Sequence, residues 1–221
     1  MTPTDPHGAA EVTGMSTMPL EPDSPDPDPL SSEQWHTADG SQLDMVIDRQ
    51  IWPDAMIDAV RPLLTTATDM TCQTFGWPRL EIGALFGGDD QIHELNLQFR
   101  GKDAPTNVLS FPSANDDAMP DLGVPDLGVP DLDRADRDML APGEIAVAFE
   151  TLSREAAQDG KDVEHHLVHL WVHGLLHLMG LDHQADDEAE IMEAGEIQVL
   201  AQLGIANPYA EPDDQLGGEM G

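Results

Sequence analysis

The densest chemistry in this sequence is the run His173-Gly-Leu-Leu-His177-Leu-Met-Gly180-Leu-Asp-His183. Histidines four residues apart share one face of a helix, so the rings of His173 and His177 can converge on one ion at about 2.0–2.1 Å. Gly180 follows the last apolar residues of that helix, where a left-handed residue stops the helix and turns the chain sharply. His183 is then placed to return as a third ligand. Three neutral imidazoles with an open fourth position make a catalytic metal site, because a water held there is acidified toward neutrality and becomes a nucleophile. Zinc suits all-imidazole ligation, and nickel or another divalent transition metal also accepts nitrogen donors. Any one of these histidines alone is more simply a packed or surface residue. Their joint spacing around a glycine stop is what favours an ion.

That spacing matches the zinc-peptidase signature H-E-x-x-H-x-x-G-x-x-H, except that Gly174 stands where the signature has its general-base glutamate. Without that carboxylate, peptide hydrolysis lacks its proton acceptor. A zinc hydrolase of peptides or small molecules is therefore the runner-up reading. Asp182 is expected to orient a ligand ring or cap the turn. His169 extends the ligand face one turn earlier, behind His165 and His166, and could either support a ligand ring or simply pack. Packing or solvent exposure is the expectation for all three.

The elements that must position these groups follow from apolar periodicity. Strands are expected at 45–47, 80–86, 108–111 and 145–149. Helices are expected at 54–75, 89–99, 150–158, 163–179 and 186–203, the last stopped by Gly204 and Pro208. Strands come early and helices dominate late. The expectation is a single α+β domain over 41–210, with a mixed four-stranded sheet covered by about five helices and the metal site at the end of a central helix. Residues 1–40, acidic and rich in Pro, read as a disordered tail, as do 211–221. The segment 113–141 carries the repeat Pro-Asp-Leu-Gly-Val and reads as an acidic surface loop.

Composition narrows the function classes. The longest apolar run, 167–181, is interrupted by histidines and falls short of the roughly 20 residues that span a bilayer. Residues 1–39 hold no Lys or Arg and no apolar core segment, unlike a secretory signal of the usual form. A cytoplasmic protein without membrane contact is expected. Cys72 is the only cysteine and reads as a buried thiol. The net charge of −34, from 43 acids against nine Lys and Arg, works against any phosphate-bearing partner. Nucleic acid would have to be held by a local basic spot and the metal.

Three blocks resemble the YbeY endoribonucleases, or rRNA maturation factors: Leu95-Asn-Leu-Gln-Phe-Arg100-Gly-Lys102-Asp-Ala-Pro-Thr106-Asn107-Val-Leu-Ser-Phe-Pro112, Gly143-Glu-Ile, and Val168 through His183. The helix carrying Met192, Glu196 and Leu200 continues the likeness, which covers about 44–208. Two departures are Glu144, where the family usually has Asp, and the long 113–141 stretch. The resemblance implies a sheet flanked by helices and a metal at the end of a groove. It further implies a zinc-dependent, single-strand-specific endoribonuclease in small-subunit rRNA 3′-end maturation and ribosome quality control, with single-stranded RNA, ribosomal RNA and the ribosome as partners. By likeness Arg100 is the functional arginine facing the metal, where it would clamp the scissile phosphate. Lys102 completes a basic pair. Thr106 and Asn107 are candidate substrate contacts, although hydrogen bonding within a turn is their commoner role. A third reading is a non-catalytic ribosome-assembly partner, because an acidic domain suits basic ribosomal proteins.

Overall fold

In chain order the elements are β1 (Leu30–His36), β2 (Gln42–Asp48), α1 (Asp54–Phe75), β3 (Leu80–Gly87), α2 (Asp89–Arg100), β4 (Val108–Pro112), β5 (Leu140–Ala148), α3 (Phe149–Asp159), α4 (Val163–Leu178) and α5 (Asp186–Gln202). The structure, a computed structural model, describes residues 29–113, 139–181 and 186–210, without the side chains of 186–188. The strands form one five-stranded sheet in the order β1-β2-β3-β5-β4. β2, β3 and β5 run parallel in its centre, and β1 and β4 pair antiparallel at the two edges.

Side-chain alternation assigns the two faces of this sheet. Ile145 and Val147 of β5 enter the main core with Ile82, Ala84 and Phe86 of β3, under α1 and α4. Ala146 and Ala148 point the other way, into a smaller core closed by Ile92 of α2. α4 explains its own position. Leu167, Val168, Leu170, Trp171, Val172, Leu175, Leu176 and Leu178 are all buried, so the helix is apolar on most sides and must be surrounded. It packs against α1, α3, α5, β4 and β5. Trp171 donates its indole N–H to Thr68 Oγ1 of α1 at 3.0 Å, which satisfies a polar group that would otherwise be stranded in the core. Asp162 caps the helix by accepting from the backbone N–H groups of Glu164 and His165.

The α+β class and the single domain match expectation, but the sheet has five strands where four were expected. The additional strand is β1, which lies upstream of the expected domain boundary at 41. Its sequence, LSSEQWH, buries only Trp35 among its side chains. An edge strand needs a backbone ladder and one anchor, so apolar counting passes over it. Its outer decoration is charged. Arg61 reaches Glu33 at 2.7 Å and lies 5.0 Å from the Trp35 ring. β5 likewise begins at Leu140 instead of 145, so the expected 113–141 loop is shorter at its far end. Residues 1–28, 114–138 and 211–221, to which tails and loop were assigned, lie outside the described residues.

Cys72 lies on the buried face of α1, and burial pushes its thiol up to about 12. The folded protein should therefore resist alkylation by iodoacetamide at pH 8 and react only as fast as it unfolds. Mass spectrometry of samples quenched with and without denaturant checks this, and prompt labelling under native conditions would contradict the packing.

Candidate metal centre and groove

The C-terminal end of α4 builds the site. Gly180 has a left-handed φ of 90°, and its N–H bonds to His177 O while the Leu181 N–H reaches back to Leu176 O at 3.0 Å. This pair of bonds is the Schellman stop that Gly180 was expected to make. The turn also orients a ring, since the Leu181 carbonyl lies 3.0 Å from His177 Nδ1. A carbonyl only accepts, so Nδ1 carries the proton and Nε2 keeps its lone pair.

His173 is fixed by different means to the same effect. Its Nδ1 lies 2.8 Å from Glu196 Oε1, on α5. Glu196 is fully buried. Burial alone would raise its pKa, but hydrogen bonds from His169, His173 and Tyr209 outweigh that and hold it at about 2. An ionised carboxylate also only accepts, so His173 Nδ1 is protonated and its Nε2 lone pair faces outward. The two Nε2 atoms end up 3.1 Å apart. Two ligand arms of about 2.0–2.1 Å at a tetrahedral angle place nitrogens about 3.3 Å apart. The pair therefore fits a shared transition-metal ion. The buried carboxylate behind it supports that fit, since none of its described hydrogen-bond donors is a Lys or Arg and a cation would balance it. His183 and Asp182 lie outside the described residues.

In front of these rings runs a groove of about 750 Å³ lined by Arg100, Lys102, Thr106, Asn107, His173 and His177 among others. Arg100 thus shares the groove with the two histidines, as does Lys102. The Arg100 guanidinium is braced by donating to Ser110 O at 3.0 Å, and Ser110 Oγ in turn donates to Gly174 O at 3.3 Å. Buried Asn96 donates to Ala104 O at 2.7 Å, which ties the loop carrying Lys102 to α2. Asn107 lines the groove but spends its side chain locally, accepting from Val108 N–H at 2.7 Å and donating to Glu155 at 2.8 Å. The first of these bonds is of the turn type, and the second reaches across to α3. Thr106 Oγ1 lies 3.4 Å from Asn107 Oδ1. Among the described lining residues there is no Asp or Glu.

His169 departs from expectation. It does not simply pack or meet solvent, because its Nε2 lies 2.8 Å from Glu196 Oε2. His166 is buried beside Glu155 at 3.2 Å, and burial lowers its pKa. His165 is exposed, as expected. Sequence reading gave Glu196 and Ser110 no role at the site. For Glu196 a signal existed: an acid stands in an apolar stripe with Met192, Val199 and Leu200, and such an acid must find partners. Ser110 gave none.

A family model described as Endoribonuclease YbeY matches residues 47–204. The chain belongs to the YbeY family. Its relatives include Endoribonuclease YbeY of Rhodopseudomonas palustris, 40% identical over 85% of this chain and 90% of that protein. Those of Sphingopyxis alaskensis and Erythrobacter litoralis are 41% and 42% identical, over 73% and 76% of this chain and 94% and 99% of their own lengths. A Cβ at Gly174 would stand 3.0 Å from Ile145 Cδ1 and 3.3 Å from Ser110 Oγ, so a side chain there meets β4 and β5. Gly174→Glu should therefore destabilise the fold by at least about 2 kcal/mol, from overpacking and a buried charge, and should create no peptidase. Denaturant unfolding and a peptide-cleavage assay check both halves.

Proposed function

We propose that this chain is a metal-dependent endoribonuclease that cuts single-stranded RNA. We further propose that it acts in 3′-end maturation of small-subunit ribosomal RNA and in ribosome quality control. The observation that carries the reading is the groove. In a chain of net charge −34, its described lining joins Arg100 and Lys102 to two imidazoles and includes no carboxylate. Local charge of this kind is what phosphate needs when the global field repels it. Membership of an endoribonuclease family supports the same reaction class.

His173, His177 and His183 would hold the ion, with zinc the best match to imidazole donors. When bound, such an ion supplies Lewis-acid polarisation of a phosphoryl oxygen and lowers the pKa of a water. The remaining work belongs to side chains. Arg100 binds a non-bridging oxygen of the scissile phosphate and stabilises charge that develops there, its fork braced by Ser110. Lys102 holds a neighbouring phosphate. Thr106 sits along the same wall. The ribosome is the proposed setting, and the acidic exterior suits contact with basic ribosomal proteins there.

Purified protein should cut unstructured RNA, and His173→Ala or Arg100→Ala should lower the rate by about 100-fold or more with the fold retained by circular dichroism. Cleavage of peptides with intact RNA would support the hydrolase alternative, and tight ribosomal-protein binding without cleavage the assembly alternative. The product ends separate two routes, because attack by a 2′-hydroxyl leaves a cyclic phosphate and attack by water does not. Zinc at about 100 times its Kd should stabilise the folded protein by about 2.7 kcal/mol, and chelation should remove that gain.

A further inference from the structure

We propose that Tyr209, acting through Glu196, is a positioning residue for the metal ligand His173, so that the segment beyond α5 belongs to the metal centre. The inference rests on the metal reading above and adds to it a part of the chain that has no groove contact.

The geometry is specific. Glu196 gives one oxygen, Oε1, to His173. Its other oxygen, Oε2, is met by His169 Nε2 at 2.8 Å and by the Tyr209 hydroxyl, which donates to it. A carboxylate held at one oxygen can swing about its last torsion, whereas donors on both oxygens fix its plane. The direction of the His173 Nδ1–H bond, and with it the direction of the Nε2 lone pair, then becomes fixed too.

The segment that delivers Tyr209 is built for the purpose. Gly204 ends α5 with a φ of 73°, and the Ile205 N–H returns to Leu200 O at 2.9 Å. Ile205 is buried and anchors the chain. Asn207 then accepts from the Tyr209 N–H at 2.9 Å through its side chain and from the Ala210 N–H through its carbonyl. Apolar burial does not explain the tyrosine, because 42% of it stays exposed. What its position achieves is the hydrogen bond, and the ring crosses His169 edge-on at 5.6 Å, covering that donor as well.

The test is a double-mutant cycle on zinc affinity, measured by competition with a chromophoric chelator in the full chain, with the cobalt(II) spectrum and apo-protein melting recorded alongside. Tyr209→Phe keeps the ring and removes the hydroxyl. It should weaken zinc binding by about 10-fold and shift the cobalt bands, while the apo protein, one hydrogen bond to buried Glu196 poorer, melts somewhat lower but still cooperatively. In a Glu196→Gln background the same change should have no further effect on affinity, because the path runs through that carboxylate. Zinc affinity within twofold of the parent with an unshifted cobalt spectrum would overturn the proposal, as would equal losses in both backgrounds. Failure of the parent protein to bind zinc at all would instead sink the metal reading, a result separable from either of these.

Discussion

The arrangement around α4 depends on one buried negative charge. Taking a carboxylate out of water costs several kcal/mol unless hydrogen bonds replace its hydration. Glu196 meets that requirement with donors from two separate places: His169 and His173 on α4, and Tyr209 beyond α5. The two histidines reach it only when α4 and α5 are docked. Core packing and ring orientation are therefore one event, since the contact that seats α5 on α4 also decides which His173 nitrogen faces the groove.

The same economy governs the electrostatics. Acids cover the chain, yet the described groove wall excludes them and gathers two of the nine Lys and Arg. Other basic residues are spent on the fold: Arg49 and Arg61 on Glu33, Arg154 on Asp89 and Lys161 on Asp159. Pairs that stay partly in water, as these do, add little stability individually. Their effect here is to leave Arg100 and Lys102 as the cations of the groove wall. Polyanion binding then depends on short-range contact, and the global field disfavours unspecific association.

Much of this was legible in the sequence, for physical reasons. The convergence of His173 and His177 follows from the helical repeat, and the stop at Gly180 follows from glycine's freedom at positive φ. The central strands and α4 declared themselves because buried elements are apolar on both faces or all around. What escaped was whatever depends on contact across the chain. β1 is polar because an edge strand is held by its ladder, so periodicity had little to detect. Ser110 and the Glu196–His169 contact join residues whose proximity is a product of topology. The Asn107–Glu155 bond belongs with these, since it joins the residue before β4 to α3 across a long stretch of chain.

The Arg100–Ser110–Gly174 relay has a consequence for how the molecule tolerates change. It clasps α2, the β4 edge and α4 together through main-chain carbonyls, so the span between guanidinium and imidazoles is set by backbone. Immediately downstream, Ser113 closes the strand pair by bonding to the carbonyls of Ala141 and Pro142 at 2.9 and 2.8 Å. Chain added after that clamp and before β5 enters and leaves through a sealed doorway. A change of length in that connection therefore need not alter the span between the Arg100 guanidinium and the rings of His173 and His177.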